Sequence, residues 1–324
     1  MKQLILFIAV TTFNIQLFAC DYCNCYLSLN PQYKKNLVGL RYTAASLEGS
    51  HHDPVDLSLM GLKNNDFQEI RSDYEIHGQF FPTSGLQIIV SMPYVVNKES
   101  VSGEGIAAEV NSANTHTHED ILPGESYTIH SGIGDPLIIS HYQIVNKTGE
   151  DSTDYRFRIL AGAGIRIPLG KWKLDENEIP EERSHLPGTG SLGYLASIRF
   201  FSQYKNIGLN VNSNYLFTTT NNQAYRYSNR LNTNLTLLYF INKEKLSFYP
   251  NVGSFYELSG RDLDQNLRVM NSGGQLLFAH AGIDLYWGNI SLNTAFQIPL
   301  LQKLNGYQPE NNFRIITGVT YSFN

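Results

Sequence analysis

Along most of the chain, apolar and polar residues alternate one for one, the period of a strand that presents a different medium to each face. The clearest window is NIGLNVNSNYLF. It sets Ile207, Leu209, Val211, Ser213, Tyr215 and Phe217 on one face, and Gly208, Asn210, Asn212 and Asn214 on the other. The alternation predicts about twelve strands, near 37–47, 66–80, 86–96, 134–146, 154–168, 189–203, 206–219, 228–241, 246–259, 273–287, 290–300 and 312–323. Most of these are 11 to 15 residues long, whereas strands of soluble domains run to about 5–6. A tilted strand needs about 9–11 residues to cross a bilayer.

The connections sharpen this picture. Short turns (PTSG, NKTGEDST, YKN, NKEK, GN) alternate with long polar connections such as Gly49 to Asn65, Asn97 to Ile133 and Leu169 to Gly188. A soluble sandwich has no reason to segregate loop lengths in this way. Outer-membrane barrels do, with short periplasmic turns and longer external loops. The predicted fold is therefore all-β, an antiparallel transmembrane β-barrel of about twelve strands in the bacterial outer membrane. The backbone finds no water in a bilayer, so the sheet must close and the last strand must pair with the first. In that last strand, NFRIITGVTYSFN, residues Phe313, Ile315, Thr317, Val319, Tyr321 and Phe323 would face lipid. Tyr321 and Phe323 would then sit in the periplasmic aromatic girdle. An aromatic terminal strand also resembles the signal read by bacterial barrel-assembly machinery, although Asn324 follows Phe323 here.

Composition fits without deciding. Charged residues make up 16% and aromatics 12%, with 20 Tyr and 17 Phe, as a polar lumen inside a Tyr-rich belt would require. The net charge of −5 and the absence of a basic stretch give no reason to expect a nucleic-acid partner. The opening MKQLILFIAVTTFNIQLFAC has one Lys, a short apolar run and Leu17-Phe18-Ala19 before Cys20. It reads as a signal peptide spanning 1–19, followed by a Cys-containing periplasmic segment, 20–35, and the barrel, 36–324. Leu17 to Cys20 resembles a lipobox, so Cys20 is a candidate for lipidation. Cys20, Cys23 and Cys25 could form a local disulfide, or a thiolate site for Cu(I) or Zn(II). His116 and His118 lie beside Glu119 and Asp120 in the second long connection. They are imidazole ligands for Cu(II), Zn(II) or Ni(II), or simply soluble loop residues. No cofactor is otherwise called for.

The same phase rule yields a candidate lumen lining. Arg41, Asp73, Glu75, His77, Asp135, His141, Arg156, Arg158, Arg166, Arg199, Asp284 and Arg314 all fall on the inward phase, as does His280. A slip of one residue would turn these charges into lipid, at about 2–4 kcal/mol for each Arg at midplane. Such residues either pair and fill a narrow barrel or form a constriction that selects solutes. The sequence holds no G-x-S-x-G elbow, no H-E-x-x-H and no phosphate loop, and the outward phases show no Ser–His pair. The expectation is that the protein is not an enzyme.

Several segments resemble a family of bacterial outer-membrane barrels regarded as transporters, including proteins linked to the meta pathway of phenol degradation. They are SGIGDPLIISHYQI from Ser131, GAGIRIPLGKW from Gly162, LPGTGS from Leu186 and the terminal GVTYSF. The stretch PQYKKNLVGLRY after the Cys-rich start is similar to relatives from Bacteroidota. The resemblance implies an envelope barrel with a transport role, for apolar or aromatic solutes among others, and the expectation is a monomeric barrel that passes small solutes. Its expected partners are outer-membrane lipid, the assembly machinery and the solute. Two alternatives stay open: a barrel that handles copper or zinc, and a structural barrel with a filled lumen.

Overall fold

The structure, a computed structural model, describes residues 35–50, 66–102, 126–148, 155–173, 183 and 185–324. The leader, Cys20, Cys23, Cys25, His116 and His118 lie outside the described residues. The strands are, in chain order, β1 (Asn36–Ser50), β2 (Asp66–Thr83), β3 (Leu86–Ser102), β4 (Ser126–Ile133), β5 (Leu137–Thr148), β6 (Tyr155–Arg166), β7 (Gly193–Tyr204) and β8 (Ile207–Thr218). They continue as β9 (Tyr225–Arg226), β10 (Arg230–Tyr239), β11 (Ile241–Asn242), β12 (Leu246–Ser259), β13 (Leu263–Asp264), β14 (Leu267–Arg268), β15 (Gly274–Trp287), β16 (Ile290–Leu304) and β17 (Glu310–Phe323).

Neighbouring strands of the main sheet pair antiparallel, and the sheet closes on itself. β1 runs against β17 from Asn36↔Phe323 to Glu48↔Glu310, and β10 runs against β12 from Arg230↔Ser259 to Leu238↔Asn251. β4 and β5 are two halves of one interrupted stave, and β11 extends β10 along β12. The barrel thus has twelve staves and no free edge, as a membrane-spanning sheet requires. The short strands β9, β13 and β14 form a separate three-stranded sheet in the external connections.

Exposure follows the predicted phase. Leu40, Ile76, Tyr142, Ile198, Val252 and Val319 lie on the outer wall, each half or more exposed. So continuous an apolar surface is stable only against lipid. Tyr204, Tyr239, Trp287 and Tyr321 form the outward ring at the short-turn end. There the Phe323 ring stacks on Tyr321 at 6.5 Å and meets Phe80 edge-on at 6.4 Å.

Three features depart from the sequence reading. The fourth stave is longer than 134–146 and breaks at Gly134–Asp135–Pro136. The sixth begins at Gly193 rather than 189, because the residues before it fold back onto that break. Finally, the last external connection is short, because β16 runs on to Leu304 and β17 starts at Glu310, leaving residues 305–309 between them.

Candidate lumen site

Contacts that skip a strand identify the inside of a closed sheet, because neighbouring walls block them on the convex side. Arg314 of β17 reaches Glu257 of β12 at 3.4 Å, and its guanidinium lies 4.1 Å from the Phe278 ring centre. His141 Nε2 of β5 is 2.9 Å from Ser197 Oγ of β7. Thr236 of β10 is 3.3 Å from His280 of β15.

The sequence-predicted residues distribute themselves over this interior. Arg41 is ion-paired with Glu75 on the adjacent strand, and His77 Nδ1 lies 3.7 Å from the same carboxylate. Asp73 is 3.4 Å from Arg71. Asp284 accepts a hydrogen bond from Asn293 at 2.9 Å. Arg158 stacks on Phe201 at 4.8 Å, whereas Arg156, nearer the short turns, is exposed. Arg199 and His141 are deepest: together with Gln87, Gln297, Asn212 and Asn232 they are under 2% exposed. No water-wide space touches these six side chains.

Glu257, Arg71 and Arg230 belong to the same polar interior but were not among the candidates. The phase rule reaches Arg71, which shares the face of Asp73 and Glu75 on β2, whereas Arg230 and Glu257 lie on strands that carry no predicted lumen residue. The Ser197–His141 pair was also missed. It lies on the inward face, buried inside the barrel, and not among the outward phases.

The strand break organises the external half of the interior. Pro136 has no N–H to give, nor has Pro93 on β3, which faces Gly134 across the gap. The ladder between β3 and its neighbour lapses between Tyr94↔Ile133 and Ser91↔Leu137, bridged by Gly134 N–H to Pro93 O at 2.9 Å. Freed from the ladder, Asp135 turns inward and its carboxylate becomes an acceptor for the external connection. It takes Gly170 N–H at 3.0 Å, Thr189 N–H at 2.9 Å and Thr189 O–H at 2.5 Å, with Arg166 Nε at 3.8 Å. Beneath lies a cavity of about 100 Å³ with Arg71, Asp73, Asp135, Arg166 and Arg230 on its polar side and Val95, Ile139, Leu186, Leu195 and Leu216 on its apolar side.

On the lipid side of the same seam is a second hollow, of about 610 Å³. Its wall is formed by Leu40, Tyr74, Ile76, Met92, Tyr94, Ile133 and Val319, with Pro93 at its base. Pro93 borders both spaces, so only the thickness of the interrupted wall separates them.

No family model and no curated protein matches the chain. Solved structures do share its fold. The COG4313 outer membrane channel from Pseudomonas putida F1 aligns with a TM-score of 0.60 at 11% identity, over 90% of this chain and 98% of that one. More remote matches include LpxR from Salmonella typhimurium, with a TM-score of 0.39, 9% identity and coverage of 88% and 100%. The outer membrane phospholipase A from Escherichia coli aligns at 0.33, 12% identity and coverage of 89% and 92%. These last two correct one expectation: enzymes are built on outer-membrane barrels too, so the exclusion of enzymatic activity does not stand. The closed sheet, its apolar outer belt and the shared architecture make this chain a β-barrel of the bacterial outer membrane.

Proposed function

We propose that the protein is a channel for small apolar or aromatic solutes, which move between the bilayer and the barrel interior at the seam beside Pro93. The observation that carries this reading is the pairing of an apolar hollow in the lipid-facing wall with an amphipathic cavity directly behind it, where the ladder lapses. Arg199, His141 and the Asn side chains beside them are sealed from water, which suits a solute that arrives from the membrane better than an ion that arrives from the medium. The barrel of Pseudomonas putida that shares the fold is named a channel, and the resemblance to phenol-degradation barrels points to the same solute class. On this reading the protein works as a monomer inserted by the barrel-assembly machinery. Copper or zinc handling by Cys20, Cys23, Cys25, His116 and His118 is a separate proposal, carried by sequence alone.

A second reading, a structural barrel with a permanently filled interior, is favoured by the burial of Arg199, His141 and the Asn side chains. Uptake of a radiolabelled small aromatic hydrocarbon by cells with and without the barrel separates the two. The channel accelerates uptake severalfold, and Val319→Trp, which fills the hollow, returns it to the rate of cells lacking the protein. Equal uptake with and without the barrel leaves the structural reading.

A further inference from the structure

We propose that Asp135 is a latch: its carboxylate holds the stem of the external connection across the outer end of the cavity and so controls access to it from the cell exterior. The inference rests on the channel reading for its purpose and on geometry for its existence. The three donors to Asp135 come from the two opposite ends of one connection, Gly170 on the outgoing side and Thr189 on the returning side. A carboxylate 8% exposed that accepts two N–H groups and one O–H has most of its acceptor capacity used. The two sides of the stem also grip each other. Gly188 N–H donates to Lys171 O at 2.7 Å, Lys171 N–H donates to Ile133 O at 3.1 Å, and a Cβ on Gly170 would lie 2.7 Å from the Gly188 Cα.

The returning side carries the lid itself. Leu186 and Pro187 form part of the cavity wall, and Leu186 is only 5% exposed. The next connection is tied on by Asn221 Nδ2, which donates to Thr189 O at 3.1 Å. Asp135 is therefore the one carboxylate, among the described residues, that joins the strand break, both sides of the stem and the cavity. Without it, the stem keeps its backbone contacts, the bond from Asn97 to His185 O, the 3.4 Å approach of His185 to Glu69 and the Asn221 bond, but loses the carboxylate that ties both its sides to the strand break three residues from Leu186. An external segment held to a rigid wall by a few directional bonds is the common form of a gating element.

The test uses the full chain with Cys20, Cys23 and Cys25 changed to Ser and Leu186→Cys as reporter, folded in detergent and verified by heat-modifiable gel mobility. A membrane-impermeant maleimide should label the reporter slowly. Asp135→Ala should raise the labelling rate about tenfold, the scale of one lost charge-assisted hydrogen bond, and Asp135→Asn should fall between. A folded Asp135→Ala barrel labelled at the parent rate overturns the latch. Should that variant not fold, Thr189→Val, which loses only the hydroxyl, carries the test: faster labelling supports the latch and an unchanged rate overturns it. Labelling needs no solute, so faster labelling in a barrel that passes no aromatic hydrocarbon upholds the latch and overturns the channel.

Discussion

Two regions of the interior obey the same inward phase and end in different materials. Around the break at Asp135, inward residues are charged, bonded to a folded-back connection, and leave a cavity. Near the short turns, the inward residues Phe201, Leu238, Phe240, Tyr249 and Tyr286 form a buried aromatic core. There Phe240 lies 4.7 Å from Tyr249, and Tyr249 lies 5.0 Å from Tyr286. The difference assigns labour. Dispersion and area burial fix the periplasmic half and scarcely depend on direction. The external half depends on a few directional hydrogen bonds, which one residue's departure undoes.

The comparison can be broken at either end. The largest effect is expected in the aromatic core. Phe240→Ala should lower the free energy of unfolding by about 3–5 kcal/mol, the cost of emptying a packed site, measured by guanidinium unfolding in lipid vesicles. A loss below about 1 kcal/mol would mean that the rings are not a core. A smaller effect is expected in the stem. Gly190 has a φ of +66°, and the ring of Trp172 occupies the place where its Cβ would stand. Gly190→Ala should cost about 1–3 kcal/mol locally. Hydrogen exchange should show it as lost protection of the amide of Gly188 with the strands of the far wall unchanged. Uniform loss over the whole barrel would mean that the two regions are one cooperative unit.

The sequence made the barrel readable because membrane and lumen impose opposite demands on successive residues, and a period of two records them directly. The structure buries Arg41, Glu75, Arg199 and Arg314, all of which the period sets on the inward face. The period could not show what they touch. Asp135 is 35 residues from Gly170 and 54 from Thr189, and alternation carries no information over such distances. Phe201, Tyr249 and Tyr286 point inward, against the expectation that aromatics serve the belt. Packing near the turns rewards large rings on either face. The strand break had a visible signal in Pro136, which the sequence reading set inside the strand 134–146.

The seam between β3 and its interrupted neighbour is the point on which the account turns, and it can be locked. Tyr94 and Ile133 are directly opposed in antiparallel register at its rim, both on the outer face. Cysteines at these two positions, in a chain without Cys20, Cys23 and Cys25, are placed for a disulfide. Uptake of the aromatic hydrocarbon should fall to the rate of protein-free membranes when that bond forms, and recover on reduction in the same preparation. Equal uptake in the oxidised and reduced states, with the crosslink verified by mass, would contradict a path through the wall.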